Sequence, residues 1–140
     1  MNTPVGGKLT QFAVPLELRL AGLWTARMFC YVYGDLLSFY VPGRIEATAA
    51  GDLGPLGTVS PGILVGIAVF MAIPAVMIAL SLHLTARPNR LLNLTFGAAY
   101  TLIIVATLPG APPYYWLLAV VDVALTGAIV WQAWRWPRGL

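Results

Sequence analysis

The chain has 140 residues, of which 59% are apolar and only 9% are Asp, Glu, Lys or Arg, against roughly 25% charged in an ordinary soluble domain. One domain of that length has too little interior to hide so much apolar surface from water, so the composition excludes a soluble fold and selects lipid as solvent. The net charge of +3 comes from scattered bases, which excludes a nucleic-acid partner, and the lone Cys30 excludes an intrachain disulfide and argues against a cysteine metal site.

The first fifteen residues hold one Lys among several Pro, Gly and Thr, without the compact apolar run of a signal peptide. Spanning the hydrocarbon takes about 20 mostly apolar residues in a helix, and four segments qualify. The first runs from about Leu18 to Tyr40 and stops at Val41-Pro42-Gly43. It carries Arg27 and Asp35, the costliest cargo of the four. Between Val41 and Ser60 lies the one long connection, in which Arg44 to Ala50 has the makings of a short helix and Gly51 to Gly57 of a loop that caps the bundle. The second span opens at Ser60-Pro61, an N-cap followed by proline at the first helical position, and continues to about Leu84. Inside it Pro74 removes the hydrogen bond to the carbonyl of Phe70 and should kink the helix. The third covers about Leu91 to Leu108 and is closed by Pro109-Gly110; the fourth runs from about Tyr114 to Trp136 and is stopped by Pro137.

Orientation follows from the bases, because cytoplasmic flanks collect Lys and Arg. With the N-terminus inside, Lys8, Arg19, Arg87, Arg90, Arg135 and Arg138 face the cytoplasm and Arg44 alone faces outward. Tyr114, Tyr115 and Trp116 at one end of the last span, with Trp131, Trp134 and Trp136 at the other, make aromatic belts at both interfaces. The expected fold is therefore all-α: a single four-helix transmembrane bundle, up-down-up-down, with both termini cytoplasmic.

Helices packed in lipid turn small and polar residues toward one another. Arg27, Cys30, Tyr31, Gly34, Asp35 and Ser38 recur at helical spacing on the first span; Ala68, Ala72, Ala75 and Ala79 form a small-residue stripe on the second. Asn93, Gly97, Tyr100 and Thr101 share a face of the third, and Tyr115, Ala119, Asp122 and Thr126 a face of the fourth. At 1.5 Å per residue, Asp122 lies about 12 Å below the outer end of its span, with Tyr100 and Tyr31 at similar depth. Asp35 is about one turn nearer the outside and Arg27 about one turn deeper. A charge at the centre of a span costs about 2.5–3.5 kcal/mol, so Arg27, Asp35 and Asp122 are expected to pair in the outer half of the bundle.

Two acids and one base leave a negative charge over. The functional reading is a site open to the outside that binds or conducts a small ligand or ion, lined by Tyr31, Asp35, Tyr100 and Asp122, with Arg27 at its base. The structural reading is an ion pair that fixes helix register. His83, Arg87 and Arg90 at the inner end form a candidate site for an anionic lipid headgroup, although an interfacial histidine is the simpler account. No metal-ligand spacing, nucleophile–base pair, phosphate loop or haem motif is present, so no catalytic residue and no cofactor is expected.

Leu23-Trp24, then Tyr31-Val-Tyr33-Gly-Asp35-Leu-Leu-Ser38 and Pro42-Gly43, with Ile73-Pro74, Asn89-Arg90 and the Trp131-x-Ala133-Trp134-x-Trp136 ending, resembles an uncharacterised family of small bacterial four-helix membrane proteins. The second helix, basic loop and third helix are more loosely similar to DoxX-like proteins. The first resemblance implies the fold and a bacterial inner membrane, and no activity. A non-enzymatic binding or conducting protein is the leading expectation. The alternatives are an accessory subunit of a larger membrane complex and a small enzyme acting on a lipid or quinone; the partners expected are membrane lipids and a homo-oligomer or complex.

Overall fold

The computed structural model describes residues 10–138. Lys8, and most of the segment read as lacking a signal peptide, lie outside the described residues. Five helices make up the described chain, α1 (Leu16–Ser38), α2 (Arg44–Ala49), α3 (Pro61–His83), α4 (Ala86–Ala106) and α5 (Pro113–Trp134), with a 3-10 turn at Gly54–Leu56 and no strand among them. Three, α3, α4 and α5, are long and apolar enough to cross a membrane. α1 matches them in length at 23 residues but is less apolar, because Arg27 and Asp35 sit within it.

Local chemistry sets the ends. Pro42 cannot continue a helix, and Gly43 after it takes a positive φ of 80°, which turns the chain into α2. At the start of α3 the Ser60 hydroxyl accepts from the Ile63 amide at 3.2 Å and Pro61 takes the first helical position, as the sequence anticipates. α4 begins at Ala86, earlier than the expected Leu91. The reason is that Pro88 falls in the first turn, where an amide has no helical partner to lose. The connection between α1 and α3 is compact: Asp52 pairs with Thr58 in an isolated bridge, and its carboxylate accepts from the Gly54 amide at 2.7 Å.

α1 packs against both α3 and α5, and α4 against α5, whereas α3 and α4 touch only sparingly. Leu20, Trp24, Met77, Tyr100 and Ile129 form the buried core. Around them the usual distribution is inverted. Arg27, Ser81, Asn89, Asn93, Asp122 and Thr126 are buried, while Phe29, Val65, Leu102, Leu117 and Val120 are exposed. Water would not tolerate that exterior and lipid does.

The inward faces expected of α4 and α5 are the observed ones: Asn93, Gly97 and Tyr100, and Ala119, Asp122 and Thr126, are buried. At Gly97 a Cβ would stand 2.9 Å from Val130 Cγ2 and 3.2 Å from Ile129 Cγ2, so the α4–α5 approach depends on glycine. The expectation for α3 is corrected. Ala68, Ala72, Ala75 and Ala79 all point outward, and Pro74, Met77 and Ser81 point in. Polar demand decides this: the carbonyl freed by Pro74 and the Ser81 hydroxyl need partners inside the protein, while alanine against lipid costs little.

Candidate functional site

Two polar clusters occupy the interior, and both grow from residues whose hydrogen-bonding groups have nowhere else to go. The first sits at the end of the bundle where α3 turns into α4. Asn89 and Asn93 are one helical turn apart on the buried face of α4, which aligns their side chains. Asn93 Oδ1 accepts from the Trp24 indole at 2.8 Å, and Asn93 Nδ2 donates to Asn89 Oδ1 at 2.8 Å. Asn89 Nδ2 in turn donates to the Ser81 carbonyl at 2.8 Å. This chain ties α1, α3 and α4 together across the turn.

The second cluster centres on Arg27, whose exposure is 0%. Its guanidinium meets the Asp122 carboxylate with Nε 3.0 Å from Oδ1 and Nη2 donating to Oδ2 at 3.3 Å. The nearer contact is poorly aligned for a hydrogen bond, so its energy is coulombic rather than directional. Nη2 also donates to the Tyr31 hydroxyl. Three rings close over the charge, Tyr100 at 4.1 Å, Tyr31 at 4.4 Å and Trp24 at 5.8 Å. An arginine so enclosed gains cation–π attraction where water is excluded, which is how α1 carries a full charge at this depth.

Tyr100 has a second role. Its hydroxyl donates to the Phe70 carbonyl at 2.6 Å, the carbonyl that Pro74 leaves without its helical donor. One side chain from α4 thus satisfies the break in α3 and stacks on the arginine of α1. Below the pair, the Thr126 hydroxyl accepts from Thr101 at 2.7 Å and lies 3.0 Å from the Asp122 carbonyl, joining α4 to α5.

Above the pair, toward the α2 end, α1 and α5 leave a cavity of about 200 Å³. Tyr31, Asp35 and Asp122 line it, with Cys30 on the same wall and Ser38 and Arg44 nearer α2. Of the five residues singled out in the sequence, Arg27, Tyr31, Tyr100 and Asp122 come together. Asp35 does not join the ion pair: it is exposed at its position on α1 and shares only the cavity with Asp122. Two turns of α1, about 12 Å along the axis, separate it from Arg27, beyond the reach of an aspartate side chain. Tyr100 lies under the pair and not in the cavity wall.

The inner trio is dispersed. His83 and Arg87 are exposed, His83 Nδ1 lying 2.8 Å from the Ala79 carbonyl, and Arg90 Nε donates to the Ala133 carbonyl at 3.1 Å, capping the end of α5. Sequence reasoning missed Trp24, Ser81 and Asn89 as partners of Asn93. The signal lay in the Asn89–Asn93 spacing, two amides on one face of an otherwise apolar helix.

Helices of spanning length and apolarity around a polar, ion-paired interior point to a helical membrane protein. The chain belongs to DUF6326, a family of unknown function, which it matches over residues 12–139. No curated protein and no solved structure matches it, and the looser similarity to DoxX-like proteins finds no support in these comparisons.

Proposed function

We propose that α1 crosses the bilayer together with α3, α4 and α5, both termini on the cytoplasmic side of a bacterial inner membrane, and that the protein binds or conducts a small cation at the polar cavity between α1 and α5. At 23 residues and about 1.5 Å each, α1 is long enough, and the burial of Arg27 against Asp122 offsets much of the cost of its charge. Arg19, Arg87, Arg90, Arg135 and Arg138 flank the proposed cytoplasmic ends, leaving Arg44 at the other, which agrees with the bias of membrane loops. The observation that carries the functional reading is the placement of Asp35 and Asp122 on one cavity. Among the described residues Asp122 has a paired base while Asp35 faces the cavity without one, Arg44 standing at the rim nearer α2, and an ionisable group at membrane depth marks a site. The outward Ala68–Ala79 stripe favours a second membrane-embedded partner, a copy of this chain or a larger complex, in addition to lipid.

Cys30 is the only cysteine and lies on the cavity wall, so it reports access directly. In right-side-out proteoliposomes, a membrane-impermeant cationic methanethiosulfonate is expected to modify Cys30 faster than an anionic reagent of equal size. Asp35→Asn is expected to reduce that difference. Equal rates for the two reagents, or no modification by either from the outer side, would overturn the reading.

A further inference from the structure

A second and larger cavity, about 880 Å³, opens between α3 and α4 at the α2 end. It is a consequence of the fold: α3 and α4 are tied at the Ser81–Asn89 end and again at Phe70–Tyr100, and beyond those ties they part. Its walls are Ile63, Ile67 and Phe70 of α3, Ile103 of α4, and Leu53 and Leu56 of the connection that roofs it. A chamber so lined is hostile to water, and left empty it forfeits the dispersion contacts of every wall atom. Its volume falls in the range of about 300–1,000 Å³ typical of sites for small molecules.

The chamber has one charged feature. Arg44 reaches its rim and also the rim of the smaller cavity, with its guanidinium against Gly54, where a Cβ would stand 3.3 Å from Nη1. That guanidinium has no hydrogen-bond or ion-pair partner among the described residues. Beside it the Thr107 and Tyr115 hydroxyls are 2.6 Å apart. Apolar walls ending on an unpartnered fork of N–H donors form the negative image of an acyl chain with a phosphate head.

We propose that this chamber is a binding site for an anionic phospholipid of the surrounding bilayer, its acyl chain between α3 and α4 and its phosphate on Arg44. The site rests on the membrane reading above but not on cation entry at Asp35 and Asp122. Native mass spectrometry of the delipidated protein tests it, with phosphatidylglycerol and phosphatidylcholine of identical chains as probes. Wild type is expected to retain one phosphatidylglycerol with a preference of about five-fold, the scale set by one basic group near a membrane surface. Arg44→Gln should abolish the preference and Arg44→Lys should keep most of it. Gly66 lines the chamber with open space about its α-carbon, so Gly66→Trp should obstruct it and lower retention of both lipids. Equal retention of the two lipids by wild type, a preference that survives in Arg44→Gln, or wild-type retention in Gly66→Trp would each overturn the proposal. Cys30 modification separates the two sites: in Gly66→Trp, labelling at the wild-type rate with lipid lost shows that they are independent, and in wild type a phosphatidylglycerol preference with Cys30 sealed from the outer side sinks the cation pocket alone.

Discussion

Replacing Asp122 with Ala leaves the Arg27 guanidinium at 0% exposure without its counter-ion. Removing one member of a buried pair costs about 3–5 kcal/mol, because the remaining charge is desolvated and uncompensated. The Tyr100 and Tyr31 faces at 4.1 and 4.4 Å attract the guanidinium with or without the carboxylate, so they do not offset the loss, which is expected to be about 3–5 kcal/mol. Arg27→Met leaves the carboxylate stranded instead, with no ring face to help it, and should cost at least as much. The double variant removes both charges, and apolar replacement of a buried pair is often close to neutral. Its loss should therefore fall short of the sum of the single losses by at least about 2 kcal/mol, well outside the ~0.5 kcal/mol scatter of independent sites. Reversible unfolding by sodium dodecyl sulfate in bicelles measures all four corners of the cycle. Single losses that add within about 0.5 kcal/mol would refute the claim that Arg27 and Asp122 are energetically one unit.

Three other predictions bear on the interior. Tyr100→Phe keeps the ring over Arg27 but leaves the Phe70 carbonyl unpaired, at a cost of about 1–3 kcal/mol; in a Pro74→Ala background, which restores the helical donor, the same change should cost clearly less in the same unfolding assay. Asn93→Leu removes the acceptor of the Trp24 indole, so the Trp24 Nε1 proton should move upfield in a ¹⁵N-indole NMR spectrum, and stability should fall by about 1–3 kcal/mol. Gly97→Ala should destabilise by about 1–3 kcal/mol through overpacking against Val130, whereas Gly127→Ala, where a Cβ meets nothing within 4 Å, should leave stability unchanged or raise it by about 0.5–1 kcal/mol.

The sequence is most legible where lipid imposes a simple rule. Charges and amides must be paired, so Arg27, Tyr31, Asp122, Asn93 and Tyr100 could be placed on inward faces by spacing alone. The broken hydrogen bond at Pro74 was visible for the same reason, although its donor was not, because Tyr100 comes from a different helix at a register no local pattern encodes. Alanine gave the wrong face for α3, since a residue with no polar group carries no obligation to be buried. Asp35 illustrates a finer limit: helical spacing put it on the stripe of Arg27, but two turns of α1 lie between them, about 12 Å along the axis, and Asp122 reaches the guanidinium from α5 instead. The larger cavity was illegible altogether, being a property of how far α3 and α4 diverge and not of any residue in them.

The crossing of α1 underlies both proposed sites, and its two flanks decide it. In a Cys30→Ser background, single cysteines at Gln11→Cys and Ile45→Cys, both exposed positions, bracket the helix. With an impermeant maleimide applied to intact spheroplasts, position 45 is expected to label at once and position 11 only after the membrane is permeabilised. Labelling of both positions from the same side would mean that α1 does not cross, and would contradict the four-span account.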